Sequence, residues 1–209
     1  MIRSMNRSGK AAGRADKGTP WTDLPNPFTT AEALSLGIPR VTLHRLAKRG
    51  EITPIARGLY ERRTGTAFDF DLAEIAAKIP FATICLTSAL AEHGLSDAIP
   101  NKIDIAIPRG AWAPKTKALV NWHRFELGTF NKGRNTRAIP GTNLPIGIYS
   151  AERTLADLAR HPKKDQAELA EGIRRWLRVS GNNPAKLLRV ARGLPGAEIQ
   201  IQRILEILA

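Results

Sequence analysis

Six side chains between residues 40 and 49 carry chemistry that a helix can use: Arg40, Thr42, His44, Arg45, Lys48 and Arg49. If Leu43, Leu46 and Ala47 face a core, positions 41, 42, 44, 45, 48 and 49 fall on the far side of a helix turning about 100° per residue, with Arg40 near its N-terminal end. A helix that enters the major groove of DNA leads with its N-terminal residues. Arg40, Thr42, His44 and Arg45 would then lie near base edges, where arginine reads guanine O6 and N7 bidentately, and Lys48 and Arg49 near phosphates. Arg57, in the tripeptide Ala56-Arg57-Gly58, would sit at the tip of a hairpin and reach an adjacent minor groove or the backbone, with Arg62 and Arg63 continuing the positive strip. Taken alone, such a charge run equally describes the solvated face of an amphipathic helix.

The elements around these residues favour the DNA-reading alternative. Thr29 is placed as an N-cap with Glu32 as its capping-box partner, and Gly37 stops that short helix. Pro39 suits the first turn of a second helix, which Gly50 ends. Ile52 to Ile55 and Leu59 to Arg62 flank the Arg57-Gly58 tip as a two-stranded hairpin. Helix, glycine turn, basic helix and basic-tipped hairpin make a winged helix-turn-helix, assigned to residues 21–66. Residues 1–20, basic and without apolar periodicity, read as a flexible arm. Three prolines between Gly18 and Pro27 weaken the helix expected ahead of Thr29, leaving the parts of Trp21 and Leu24 open.

Residues 67–209 mix periods. Asp69 to Ile79 is amphipathic, Thr87 to Gly94 reads as a capped helix, and Lys102 to Pro108, Val120 to Leu127 and Ile146 to Tyr149 read as strands. Ser150 caps a helix over Ala151 to Arg160, and helices follow over Glu168 to Val179, from Asn183 to Gly193, and over Ile199 to Leu208. The fold class is therefore α+β: a winged helix-turn-helix followed by a mixed α+β domain with a helical C-terminal tail.

Composition narrows the partners. The 209 residues hold 32 Lys+Arg against 19 Asp+Glu, a formal charge of +13, and 43% are apolar, enough for a core. Residues 1–63 contain twelve basic and five acidic side chains, so the first third supplies +7 of that charge. Such an excess attracts polyanions, of which nucleic acid is the abundant one in the cytoplasm. The single cysteine, Cys85, excludes a disulfide framework and fits a core position. No window approaches a membrane span, and no apolar segment follows the charged first residues, so a cytoplasmic location is expected.

A second basic patch spans Arg109, Lys115, Lys117, Arg124, Lys132, Arg134 and Arg137, opposed only by Glu126 and interleaved with Trp112, Trp122 and Phe125. It suits DNA phosphates, an acidic partner surface, or a solvated rim over an aromatic core. Arg153 and Asp157, four apart, read as a structural pair.

Enzyme chemistry finds little support. Asp69 and Asp71 are paired carboxylates but belong to a helix cap and first turn. Asp104 lacks a second carboxylate and lysine at nuclease spacing. His44, His93, His123 and His161 are scattered without zinc-ligand spacing, and no phosphate loop or nucleophile elbow is present. Ser88 and Ser150 read as helix caps. No catalytic residue, metal or cofactor is expected.

Three stretches carry a family resemblance. Phe28 to Ala33, Gly37 to Gly50 and Ala56 to Tyr60 resemble the AbiEi-family antitoxins, and Cys85 to Leu95, Ile103 to Gly110 and Tyr149 to Leu158 are similar to that family's C-terminal domain, together covering residues 27–178. The resemblance implies a bacterial toxin–antitoxin module in which the chain represses its own operon at repeated half-sites on double-stranded DNA. It also implies neutralisation of a nucleotidyltransferase-like toxin encoded beside it, by direct contact or by opposing the toxin's effect. The free chain is then a monomer or a dimer. Alternatives are an antitoxin that acts mainly by protein contact with only nonspecific DNA binding, and a metal-dependent nucleic-acid-processing enzyme.

Overall fold

The computed structural model describes residues 23–62, 67–162 and 165–208. The basic arm, Trp21 and Arg63 lie outside the described residues.

The N-terminal unit runs β1 (Phe28–Thr29), α1 (Thr30–Ser35), α2 (Arg40–Lys48), β2 (Ile52–Ala56) and β3 (Leu59–Arg62). The capping box forms: the Thr29 hydroxyl accepts from the Glu32 amide at 3.2 Å, and the Glu32 carboxylate accepts from the Thr29 amide at 2.6 Å. Gly37 turns the chain at φ +75°, a region glycine enters without steric cost, and Pro39 is the N-cap of α2, one position before the first turn. The sheet has order β1-β3-β2, all antiparallel. Leu24, Phe28, Ala33, Ile38, Leu43, Leu46 and Ile52 form its core, so Leu24 is a core residue although no helix precedes β1 among the described residues.

The second unit begins with α3 (Phe70–Lys78), β4 (Thr83–Ile84), α4 (Leu86–Glu92), β5 (Ile103–Pro108), β6 (Val120–Phe125) and α5 (Leu127–Phe130). It continues with β7 (Arg134–Ala138), β8 (Pro145–Tyr149), α6 (Ala151–Arg160), α7 (Gln166–Leu177), α8 (Pro184–Arg192) and α9 (Ala197–Leu208). The mixed sheet has order β6-β5-β4-β8-β7, with β5/β6 and β4/β8 parallel and β4/β5 and β7/β8 antiparallel. Both of its faces are buried. Ile105, Ile107, Ile146 and Ile148 pack with α3, while Ala106 and Tyr149 face the helical layer of α4 and α6 to α9.

The two units touch. Ile55 and Leu59 of the wing strands are buried with Ala73 of α3, and Phe68, Phe70 and Leu144 close around them.

The pair Arg153–Asp157 fixes the helical layer. Arg153 is fully buried on α6; its Nε donates to Asp157 at 2.7 Å and its Nη1 to the carbonyls of Thr129 and Lys132, with the guanidinium 4.3 Å from the Tyr149 ring centre. Gly133 passes so close that a Cβ there would lie 2.9 Å from Arg153 Cβ, and its φ of +67° also demands glycine.

Ser88 departs from its expected role: Cys85, not a capping hydroxyl, precedes α4, and Ser88 Oγ instead accepts from the Asp104 amide at 2.9 Å. Ser150 does cap α6, accepting from the Arg153 amide at 3.2 Å. The short strands β1 and β4, the strand β7 and the helix α5 were not expected from sequence.

Removing one partner of a buried pair leaves an uncompensated charge. Arg153→Met should cost about 3–5 kcal/mol by urea denaturation, whereas Arg192→Ala, in an exposed pair with Glu198, should cost less than about 1 kcal/mol.

Candidate nucleic-acid interface

Helix α2 divides its side chains cleanly. Leu43 and Leu46 are buried, whereas Arg40, His44, Arg45, Lys48 and Arg49 are exposed, Thr42 is half-buried, and Val41 is 80% exposed. The helix contains no acidic residue. Arg49 lies 3.8 Å from Glu51; Arg40, Arg45 and Lys48 have no carboxylate partner among the described residues. An exposed cation without an internal partner keeps its full attraction for an external anion. The sequence places Val41 on this far face without giving it a contact; it is a lone β-branched apolar side chain at the N-terminal end of an otherwise basic face.

The wing is tied to the same unit. The Thr30 amide donates to the Gly58 carbonyl at 2.7 Å, fixing the tip against the start of α1 and leaving Arg57 exposed without a carboxylate partner among the described residues. Arg62 is placed differently. It is half-buried; its Nη2 donates to the Leu24 carbonyl at 2.6 Å, and its backbone amide donates to Asn26 Oδ1 at 2.7 Å. Its guanidinium holds the segment before β1 rather than extending an open strip.

The seven residues of the second basic stretch do not form one surface. Arg109 pairs with Glu126 at 2.7 Å, near exposed Arg124 at the end of β6. Lys115 and Lys117 lie beside α3, where the Lys115 carbonyl accepts from Lys78 Nζ at 2.6 Å and the Lys117 amide donates to Glu74 at 2.8 Å. Lys132 donates to the Gly193 carbonyl at 3.4 Å. Arg134 donates to Thr83 at 2.7 Å, and Arg137 pairs with Glu92 at 2.9 Å. Strands β6 and β7 are opposite edges of the sheet, four strand spacings or roughly 19 Å apart. Sequence proximity concealed this separation, because β7 pairs with β8 and not with β6.

The acidic candidates have structural partners. Asp69 Oδ1 accepts from the Leu72 amide at 2.9 Å as the cap of α3. Burial, reinforced by Asp69 and Glu74, pushes the Asp71 carboxyl above its ordinary value. Burial also acts to raise Glu74, but the hydrogen bonds from Lys78 and from the amides of Ala118 and Lys117 prevail and hold it low. Asp104 accepts from Asn121 at 3.1 Å and lies 2.9 Å from His123 Nε2. His123 and His161, far apart in sequence, come together with ring centres 5.8 Å apart. Among the described residues no group of three or more His, Cys, Asp or Glu is arranged to hold a metal. Burial raises the Cys85 thiol well above its usual value, as suits a packed core residue.

A protein-family model described as "Transcriptional regulator, AbiEi antitoxin" matches residues 23–63. No curated protein matches the chain. Among solved structures, the crystal structure of the RV2827C protein from Mycobacterium tuberculosis is similar at a TM-score of 0.49 and 18% identity, covering 87% of this chain and 76% of that one.

The two kinds of arginine are separable. Arg62→Ala should lower stability by about 1–3 kcal/mol, the cost of leaving the buried Leu24 carbonyl without its donor, whereas exposed Arg45→Ala should change it by less than about 0.5 kcal/mol. Chemical denaturation of the two variants checks both halves.

Proposed function

We propose that this chain, whose residues 23–63 match the AbiEi antitoxin transcriptional-regulator model, represses its own toxin–antitoxin operon by laying α2 in the major groove. The observation that carries this reading is that Arg40, Arg45 and Lys48 are exposed and have no carboxylate partner among the described residues, while Leu43 and Leu46 of the same helix are buried. Arg40, Thr42, His44 and Arg45 face base edges from the leading end of the helix; Lys48 and Arg49 neutralise phosphates; Arg57 extends from the wing to the flanking backbone or minor groove. The operator carries repeated half-sites, one for each bound copy.

The α+β unit, residues 67–209, is the antitoxin part in this reading, and its partner is a nucleotidyltransferase-like toxin encoded by the adjacent gene. No helix among the described residues is long and apolar enough to cross a membrane, and a DNA partner places the protein in the cytoplasm. Phosphate contacts supply affinity and base contacts supply discrimination, so the two can be measured apart.

Fluorescence anisotropy on the upstream DNA and a scrambled control, over a salt series, tests the assignment. Arg45→Ala should lose about 1–3 kcal/mol on cognate DNA and relax base preference, while Lys48→Ala weakens both DNAs alike and flattens the salt slope by about one. Equal losses on both DNAs for every variant would overturn the recognition-helix assignment.

Val41 gives a finer readout. An exposed valine beside base edges meets the C5 methyl of thymine, so replacing that thymine by uracil should weaken binding by about 0.8 kcal/mol, or roughly fourfold. The Val41→Ala protein should show a smaller difference between the two DNAs.

A further inference from the structure

The second unit contains a cleft that the DNA-reading assignment does not use. At the C-terminal ends of β5 and β6, Arg109, Arg124 and Arg160 line a cavity of about 270 Å³ whose apolar walls include Phe125, Pro162 and Pro195. Arg109 is 2.7 Å from Glu126, and Arg160 is 2.8 Å from Asp157. Asp157 is already engaged by buried Arg153 at 2.7 Å. Four guanidinium groups therefore meet two carboxylates, an excess of two positive charges, and Arg124 has no carboxylate partner among the described residues. Such an excess in a recess with apolar walls matches the two charges of a terminal phosphate better than the single charge of an internal phosphodiester. Planar guanidinium forks suit its oxygens.

A larger cavity, about 650 Å³, adjoins this one and shares Leu86, His161 and Pro162 as lining. Its character is opposite. Asp104, Asn121, Asp165 and Glu168 offer acceptor oxygens, and the adjacent rings of His123 and His161 lie in its wall. A nucleoside presents complementary chemistry: a flat ring to stack and N–H groups to donate, with its phosphate at the other end. Leu86, in the shared wall, has φ +46°, a left-handed conformation that costs a branched residue energy and concentrates at functional sites.

We infer that the α+β unit binds a free nucleoside phosphate, its terminal phosphate between Arg109, Arg124 and Arg160 and its nucleoside in the adjoining cavity. The site is independent of α2, so it stands or falls separately from operator recognition.

Isothermal titration of the full chain with the four ribonucleoside 5′-monophosphates, inorganic phosphate and the matching nucleosides tests it. At least one monophosphate should bind at least tenfold tighter than both inorganic phosphate and its own nucleoside. Arg124→Gln should weaken that binding at least tenfold with the unfolding midpoint unchanged, since Arg124 makes no ion pair among the described residues. Asn121→Ala should weaken the monophosphate but not inorganic phosphate. The inference is overturned if no monophosphate exceeds inorganic phosphate, or if a 5′-phosphorylated oligonucleotide binds more tightly than the free nucleotide. Binding that survives Arg124→Gln but is lost in Arg45→Gln would also overturn it, by moving the ligand to the DNA-reading helix.

Discussion

The buried guanidinium of Arg153 is the constraint on which the second unit is organised. A charge taken wholly out of water must be matched on the spot, and Arg153 finds Asp157 on its own helix and two carbonyls around α5. Meeting those demands fixes α6 against the α5 turn and against Tyr149 at the end of β8. Helices α4, α7, α8 and α9 all pack on α6, so its placement propagates through the helical layer. Glu74 does the equivalent on the other face: its carboxylate takes two amides at Lys117 and Ala118 and pins the loop before β6 to α3. Each face of the sheet is thus registered by one buried ionic group that binds main-chain partners remote in sequence.

That rigidity has a consequence for the winged unit. About 40 residues with seven core side chains are near the lower limit for a domain that stands alone without metal or disulfide. The wing strands bury Ile55 and Leu59 against Ala73 of α3 rather than against their own helices. The wing's angle is therefore set by the second unit, and through the Thr30–Gly58 bond so is the start of α1. A larger α+β body is a physical requirement for presenting α2 and Arg57 in a fixed relation, whatever else that body binds.

Signals carried within one turn of chain were legible in the sequence. Thr29 with Glu32, Asp69, Ser150 and Asn183 are caps whose partners lie three residues away, and the structure forms each bond. The fold class, the helix-turn-helix, the hairpin and the Arg153–Asp157 pair follow from the same short-range rules. The missed features depend on remote partners. Strands β1 and β4 are two residues long and exist only through β3, β5 and β8. Ser88 looked like a cap because its bond to the Asp104 amide spans sixteen residues. The approach of His123 to His161 is likewise a product of the tertiary fold, since β6 and the end of α6 meet only once the sheet is covered.

Arginine illustrates why spacing alone could not sort the candidate site. Arg153 is buried and matched, Arg62 is half-buried and spent on a carbonyl, Arg137 is paired across elements, and Arg45 is exposed with no carboxylate partner among the described residues. In the sequence all four are a positive charge near other positive charges. What separates them is whether the fold supplies an acceptor, which also decides how much of the charge remains for a ligand. An ion pair already made inside the protein must be broken or shared before it can hold a phosphate, and that cost falls on binding. By this criterion the charge of the paired arginines is cancelled within the fold, while Arg40, Arg45 and Lys48 of α2, with no carboxylate partner among the described residues, retain theirs.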